Sequence, residues 1–573
     1  MKRIYIYLYT CLFLGLITTA CKKTLVEDPK STLTPAFFAT NQGFQAGLTA
    51  AYAGFRTIWG PDTYFEMTVP GTDEFIAGND GNNGLVKYNS NFNTADGIVA
   101  GVWKNCYTYI NTCNGLINNA PAGLDTATKS RGIAEAKFLR ANYYFILVQF
   151  WGDVTLNKTF QATPTTSATR SKMADAYDFI IQDLKDAIAV LPAGPLSSGV
   201  LPGKATKAAA MHMLAKVYLT RAGSSAKQAD DYKNAYANAI NLITNVAPAA
   251  GLRLQQDFGS VFAEGNESNS EILWTVQHTT TLAYNGSPTQ NNSGPDNLLC
   301  HLFAPKYEVQ PGMQRSTLYG RPYIRVVPTH WLTDTVFKER VNDQRYKKTF
   351  QTMWLCNNAA SIPNWPNPLP AGAPANAQPG APKFTVGDTA IWMPGYAMTA
   401  SQIAGYRYQV IPPSKYSIAL SPAVIKYFDT KRPDQNSPSS RPIIIYRLAE
   451  TYLIAAEALL MDGRAADAVP YINAVRERAA YPSGNAAAMD ISADKVTLDF
   501  ILDERSRELC GELVRWMDLA RTGKLLERVK LHNTDGKNNI QPFHVLRPIP
   551  QTQIDATITG TPYPQNLAGK PGF

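Results

Sequence analysis

Residues 447–479 read RLAETYLIAAEALLMDGRAADAVPYINAVRERA. Apolar and alanine positions recur at helical spacing up to Met461, and the Asp462-Gly463 pair then breaks the pattern as a turn. A second periodic stretch begins at Ala465 and runs to Ala479. The reading is a helix over 444–461, a tight turn, and a helix over 465–479. Alanine-rich helices joined so closely bury little surface by themselves, so the pair needs further helices to stack against.

Those helices are visible upstream. In 41–56 (NQGFQAGLTAAYAGFR), Phe44, Leu48, Ala51, Tyr52 and Phe55 share a face. The stretch 102–118 carries Trp103, Tyr107, Ile110 and Leu116. In 133–151, Phe138, Leu139, Ala141, Tyr143, Phe145, Ile146 and Val148 cover nearly the whole circumference, the mark of a buried helix, and Gly152 supplies the C-cap. Further helices are expected over 174–191, 204–221, 231–245 and, as one long element, 498–522. Paired alanine-rich helices of this kind resemble tetratricopeptide hairpins. The expectation is a mainly α scaffold of about four helix pairs, interrupted in sequence.

The interruption lies between residues 251 and 441, where proline, glycine and aromatics dominate and 363–382 (PNWPNPLPAGAPANAQPGAP) is low-complexity. A shorter Gly-, Asp- and Asn-rich stretch, 57–101, reads as a long loop. Long irregular segments on a rigid scaffold are where binding residues concentrate.

The N-terminus adds an address. Met1, Lys2 and Arg3 precede a mostly apolar run to Ile17, and Thr18, Thr19 and Ala20 lead to Cys21. This is the layout of a secretory signal peptide, too short to span a bilayer as a stable helix. Cleavage after Ala20 could leave Cys21 as a plain residue, or Cys21 could carry lipid. The pattern resembles a bacterial lipobox, with Thr18 where a bulky aliphatic is usual, and lipidation is the favoured reading. The expected organisation is a signal peptide (1–20), a lipidated tether (21–40), a helical scaffold (41–250) with a ligand-side loop (57–101), an irregular ligand-side region (251–441), and a C-terminal scaffold and tail (442–573). No later stretch is apolar enough to cross a membrane.

Charge and cysteine usage exclude other classes. The net charge of +9 is spread thinly, without a Lys/Arg block past the N-terminus, which argues against nucleic acid. Cys106, Cys113, Cys300, Cys356 and Cys510 have no metal-ligand spacing and read as buried thiols. The histidines form no HExxH pair, no GxSxG or phosphate loop is present, and no cofactor is implied. Glu504, Glu508 and Glu512 fall at i, i+4 spacing on the expected last helix, and paired carboxylates are what a glycoside hydrolase needs. Arg505, Arg507, Arg515 and Arg521 crowd the same segment and would hold them ionised, so Glu–Arg pairing within the scaffold is the better reading.

The motifs together resemble the SusD-like (RagB) family of outer-membrane nutrient-binding lipoproteins. The resemblance rests on LVEDPKSTLTPAFFATNQGFQAGLTAAYAGFR (25–56), AEAKFLRANYYFILVQFWGDVTL (134–156), NSEILWTVQ (269–277), Asp343-Gln344-Arg345, the opening segment 447–479, ERSRELCGELVRWMDLAR (504–521) and the terminal PQN and GKPGF. Two departures are Leu567, where a proline is usual, and Lys22-Lys23, where an acidic cluster often follows the lipidated cysteine. The resemblance implies a right-handed tetratricopeptide-like superhelix facing a loop-rich half. It also implies a surface lipoprotein of the outer membrane that captures oligosaccharide, or sometimes peptide, for a SusC-like TonB-dependent transporter, without catalysis.

Sugar recognition calls for flat aromatics against C–H faces and Asp, Asn or Arg against hydroxyls. Two neighbourhoods offer them: Trp59, Asp62, Tyr64, Asp73, Glu74, Tyr88 and Asn91 in the first loop, and Tyr319, Tyr323, Trp331, Trp354, Trp365, Arg407 and Tyr408 in the irregular half. Core packing is the competing role for Trp331 and Trp354, and a disordered loop the competing setting for Trp365. Trp103, Trp151 and Trp516 read as scaffold core. The alternatives to a glycan receptor are a scaffold for peptide or protein on the same fold and, behind it, a glycoside hydrolase.

Overall fold

The computed structural model describes residues 34–81, 83–281 and 296–566. The signal peptide, Cys21 and residues 22–33 of the tether lie outside the described residues.

Eleven long or scaffold-forming helices are labelled here: α1 Asn41–Ala53, α2 Gly97–Asn118, α3 Thr126–Trp151, α4 Met173–Val190, α5 Lys207–Ala222, α6 Asp231–Asn241, α7 Leu448–Met461, α8 Ala465–Ala479, α9 Leu498–Leu509, α10 Arg515–Arg521 and α11 Leu525–His532. Each of α1–α7 packs on the next in chain order, including α6 on α7 across the whole irregular segment. That stacking is the tetratricopeptide-like superhelix. Starts are set by caps that apolar periodicity does not register. Asp96 accepts from the Ile98 and Val99 amides, so α2 begins five residues before the expected 102. Asp125 does the same for α3 through Thr128.

Two expected helices differ. Residues 443–447 are not the first turn of α7 but a strand, Ile443–Arg447, paired antiparallel with Ile272–Val276. Three consecutive isoleucines fit a pleated surface better than a helix. The expected helix 498–522 breaks into α9 and α10 at residues 510–514, where Gly511 has φ +73° and Leu513 φ +61°. Glu512 sits in the break, so it does not share one helical face with Glu504 and Glu508. It turns instead to accept from Arg447 Nε at 2.7 Å and from Lys426 Nζ at 2.6 Å.

The irregular half is held by small sheets and a core of its own. With strands numbered along the chain, β1 Phe75–Ala77 pairs with β3 Val326–Pro328, β2 Ile272–Val276 with β9 Ile443–Arg447, and β4 Phe350–Gln351 with β8 Ala423–Val424. β5 Met353–Leu355, β6 Thr389–Trp392 and β7 Gln409–Val410 form one three-stranded sheet. Under it Tyr307, Tyr319, Trp354, Phe384, Ile391 and Met393 pack together. The stretch 57–101 is not a plain loop: short helices Asp62–Thr68 and Asn83–Lys87 flank β1 and fold its aromatics inward. The proline-rich insert is also ordered. Trp365 exchanges backbone hydrogen bonds with Gly380 and Ala381, both 2.9 Å, and its buried ring lies under Lys383 at 4.8 Å. Trp365 therefore clamps the insert's neck.

Candidate ligand-binding face

Most aromatics chosen from the first neighbourhood serve the core. Trp59 and Tyr64 are buried with ring centroids 4.3 Å apart. Tyr88 is buried and donates its hydroxyl to the Gly71 carbonyl at 2.6 Å. Asp73 and Glu74 are buried against scaffold helices: Asp73 accepts from Arg515 at 2.8 and 2.6 Å and from Arg528 at 3.2 Å, while Glu74 lies 3.4 Å from Arg515. Asn91 is exposed, away from these pairs. In the second neighbourhood Tyr319 and Trp354 belong to the sheet's core, and the Tyr319 hydroxyl accepts from the Leu355 amide at 2.8 Å. Trp331 is half-buried, stacked on His532 at 4.5 Å beneath Arg528 and Arg515.

Two groups do reach solvent on the irregular half. The first is a polar seam. Residues 78–80 cross the chain ends of two other segments, Asp80 N–H donating to the Ile324 carbonyl and Asn79 N–H to that of Ile418. Arg325 donates to Asp62 at 2.8 Å and to the Asp80 carbonyl, and Asn79 donates to the Asp80 carboxylate at 2.8 Å. The Tyr323 ring has two guanidiniums over it, Arg321 at 5.1 Å and Arg325 at 5.7 Å from its centroid. Asn79, Asp80 and Ile418 are exposed.

The second group is aromatic. Trp392, at the end of β6, meets Tyr406 at 5.6 Å, Tyr396 at 6.2 Å and Tyr408 at 6.3 Å, and Tyr406 meets Tyr408 at 5.4 Å. None of the four is buried, and Tyr396 is 55% exposed. Across the ladder from Trp392 stands Met353, and both it and Leu355 are 43% exposed, so the apolar surface continues along β5. The insert walls one side: Asn376 accepts from Arg407, and Gly405 abuts the Gly372 backbone. Flat rings beside guanidinium and amide groups, open to solvent, are what a pyranose chain needs. Of this cluster only Arg407 and Tyr408 were among the residues read from sequence. The missed signal is the tyrosine pair flanking Arg407, whose rings meet just before β7.

The two groups are linked through a chain of ring and guanidinium contacts. Ile418, at the seam, lies two residues from Tyr416, which stacks on His330 at 6.1 Å. Tyr416 also neighbours Tyr346, whose ring carries Arg340 at 3.7 Å, and Arg340 donates to the Gly395 carbonyl next to Tyr396.

The carboxylates that looked catalytic are enclosed. Glu504 accepts from Arg345 at 2.7 Å and Arg476 at 2.8 Å, and Glu508 from Arg447 at 2.6 Å and Arg345 at 3.0 Å. Burial opposes the charge on Glu508, but Arg478, Arg447 and Arg345 outweigh it and hold its pKa down to about 2. Glu504 is held well below the usual range in the same way, by Arg345, Arg507 and Arg476 against burial. Neither has contact with solvent. Among the described residues no cluster of His, Cys, Asp or Glu is arranged to hold a metal, and no helix is long and apolar enough to cross a membrane.

The family model described as "SusD family" matches residues 222–567, more than half of the chain. The chain belongs to the SusD family. A second family model, described as "Starch-binding associating with outer membrane", matches residues 61–219. A curated relative, SusD-like protein P2 of Formosa agariphila, is 28% identical over 557 residues, covering 94% of this chain and 93% of its own. SusD-like protein P38 of the same organism is 24% identical over 552 residues, covering 92% of each chain. Among solved structures, a laminarin-binding SusD-like protein superposes with a TM-score of 0.66 at 22% identity, covering 93% of this chain and all of the other. A SusD homologue of Bacteroides thetaiotaomicron gives 0.69 at 21%, covering 92% and 98%. These structural likenesses establish the SusD fold. Together the two family models place the chain in a carbohydrate-binding, outer-membrane-associated family.

Proposed function

We propose that this protein is a surface-exposed lipoprotein that binds a glycan on its irregular face and delivers it, chemically unchanged, to a SusC-like TonB-dependent transporter in the outer membrane. The observation that carries the reading is the open aromatic group Trp392, Tyr396, Tyr406 and Tyr408 with Arg407 and Asn376 at its rim. Rings at this spacing stack on successive sugar faces, and each such contact is modest, so affinity in the micromolar range is expected. Asp62, Asn79 and Arg325 at the seam would supply further hydroxyl partners. Binding without turnover is supported by the buried, ionised state of Glu504 and Glu508, which leaves no proton to donate to a leaving group. Cys21 is the proposed lipid anchor, and the short segment after it would tether the receptor beside its transporter.

Affinity electrophoresis of the protein through gels containing starch, laminarin and other polysaccharides tests the central claim. Retardation that Trp392→Ala abolishes supports it; retardation by no glycan, or retardation indifferent to Trp392, sinks it. Delivery is tested separately by mild-detergent copurification from the native host, where a TonB-dependent barrel is expected alongside a lipid mass on Cys21. Cys21→Ala should release the protein from the membrane fraction.

A further inference from the structure

Tyr396, the exposed ring of the aromatic group, stands on a stretch of chain that does little to hold its own shape. The chain leaves β6 at Trp392 and turns so that the Tyr396 ring meets the Trp392 ring nearly edge-on, at 78°. Pro394 has no N–H to give, and Gly395 sits at φ +74°. Among the described residues the backbone of 394–398 takes part in one hydrogen bond, in which the Gly395 carbonyl accepts from Arg340 Nη1 at 2.9 Å. The other two nitrogens of that guanidinium are anchored in the interior. Nε donates to the Phe337 carbonyl at 2.9 Å and Nη2 to the Thr333 carbonyl at 2.6 Å, at the end of the helical turn Trp331–Val336. Thr333 and Phe337 are buried, and the guanidinium lies 3.7 Å from the centre of the Tyr346 ring, which packs with Phe337 and Phe350.

A planar guanidinium bonded through all three nitrogens is a rigid strap, with two ends in the core and one on the loop. We infer that Arg340 is a positioning residue of the glycan site, carrying the order of the core out to Gly395 and so fixing Tyr396 against Trp392. The inference rests on the glycan-binding reading and adds the residue that presets its outermost ring. Without the strap, Tyr396 would have to be ordered at each binding event, and that immobilisation is subtracted from affinity. Gly395 is the matching half of the device. A Cβ there would collide with Arg340 Nη1, so a side chain at 395 drives the strap and the loop apart.

The test is a double-mutant cycle in affinity electrophoresis on the full chain, with whichever polysaccharide of the starch and laminarin panel retards the wild-type protein most. Tyr396→Ala is expected to weaken binding about three- to tenfold, the loss of one stacking contact. Arg340→Gln should reproduce most of that loss, and Arg340→Lys, with a single nitrogen to reach Gly395, should recover part of it. Added to Tyr396→Ala, Arg340→Gln should weaken binding no further, because Arg340 acts through that ring. An arginine that merely stabilised the fold would lower the melting temperature and affect binding alike with and without Tyr396. Gly395→Ala leaves the core end of the strap untouched, is expected to match Arg340→Gln, and replaces it in the cycle should that variant not fold. Wild-type affinity in Arg340→Gln or in Tyr396→Ala, or losses at the two positions that multiply, overturns the inference and leaves the glycan-binding reading standing. Retardation of the wild-type protein by no polysaccharide of the panel overturns both.

Discussion

The Asp73 carboxylate and the Arg515 guanidinium face each other squarely, with hydrogen bonds of 2.8 and 2.6 Å, although 442 residues separate them. The pair is buried and joins the segment before β1 to the start of α10. Arg515 also donates to the Leu502 carbonyl at 2.7 Å, so it closes the break between α9 and α10 as well. Truncating one member of such a pair strands the other's charge in the interior. Arg515→Met is expected to cost about 3–5 kcal/mol in urea denaturation. In a double-mutant cycle with Asp73→Asn, the combined cost should fall well short of the sum. Additive losses would mean that the two residues do not act as a pair.

Glu74, beside that pair, sets a pH dependence of opposite sign to its neighbours. Burial pushes its carboxyl up to about 7 against the pull of Arg515. The folded protein therefore binds a proton there that the unfolded chain releases near its ordinary pKa of about 4.3. Its stabilising contribution is complete below that value and is lost as pH rises through 7. Glu508, held down to about 2, behaves conversely: its contribution is present above the unfolded value and is lost in acid. Stability should peak in the mildly acidic range. Glu74→Gln is expected to flatten the decline between pH 5 and 8 in thermal melts, and a decline of unchanged slope would refute the assignment.

The scaffold was legible in sequence because a period of 3.6 residues survives in isolation: α3 and α7 declare themselves by their own side chains. The break after α9 was not, because a single glycine in an apolar-periodic run is tolerated in many helices. What decides it lies elsewhere in the chain, in Phe303 packed against Gly511 and in Arg447 and Lys426 drawing Glu512 aside. Trp59, Tyr64 and Tyr88 were read as exposed for a related reason. Their surroundings are rich in Gly, Asp and Asn, the composition of a surface loop, but Arg515 and Arg528 draw the acidic residues of that stretch under the scaffold and the rings follow. Arg407 and Tyr408 were reachable because their residue types suit a sugar and their stretch is irregular, both local facts, whereas the partnership of Trp392 with them depends on a parallel pairing of β6 and β7 that no local pattern announces.

The broken helix itself can be tested. Gly511 holds φ +73°, and a Cβ there would sit 3.1 Å from the Phe303 ring. Gly511→Ala combines a left-handed backbone cost with a crowded contact and should destabilise by about 1–3 kcal/mol. If the substitution were neutral in denaturant melts, the chain would be continuing as helix through residues 510–514.

The insert's place beside the aromatic group rests on an equally small residue. A Cβ on Gly405 would lie 2.4 Å from the Gly372 carbonyl oxygen, backbone against backbone, so any side chain at 405 must push the insert's tip away. Displacement would also part Asn376 from Arg407, removing the wall beside Tyr406 and Tyr408. Neither glycine is in a hydrophobic core, so Gly405→Val should leave the main melting transition in place. It should speed cleavage of residues 366–379 by proteinase K and lower glycan affinity about threefold or more, the loss of one or two rim contacts. Faster cleavage with undiminished affinity would mean that the rings bind without the wall. Unchanged cleavage would mean that the tip does not rest on Gly405 at all, and the polar rim of the site would then have to be Arg407 alone.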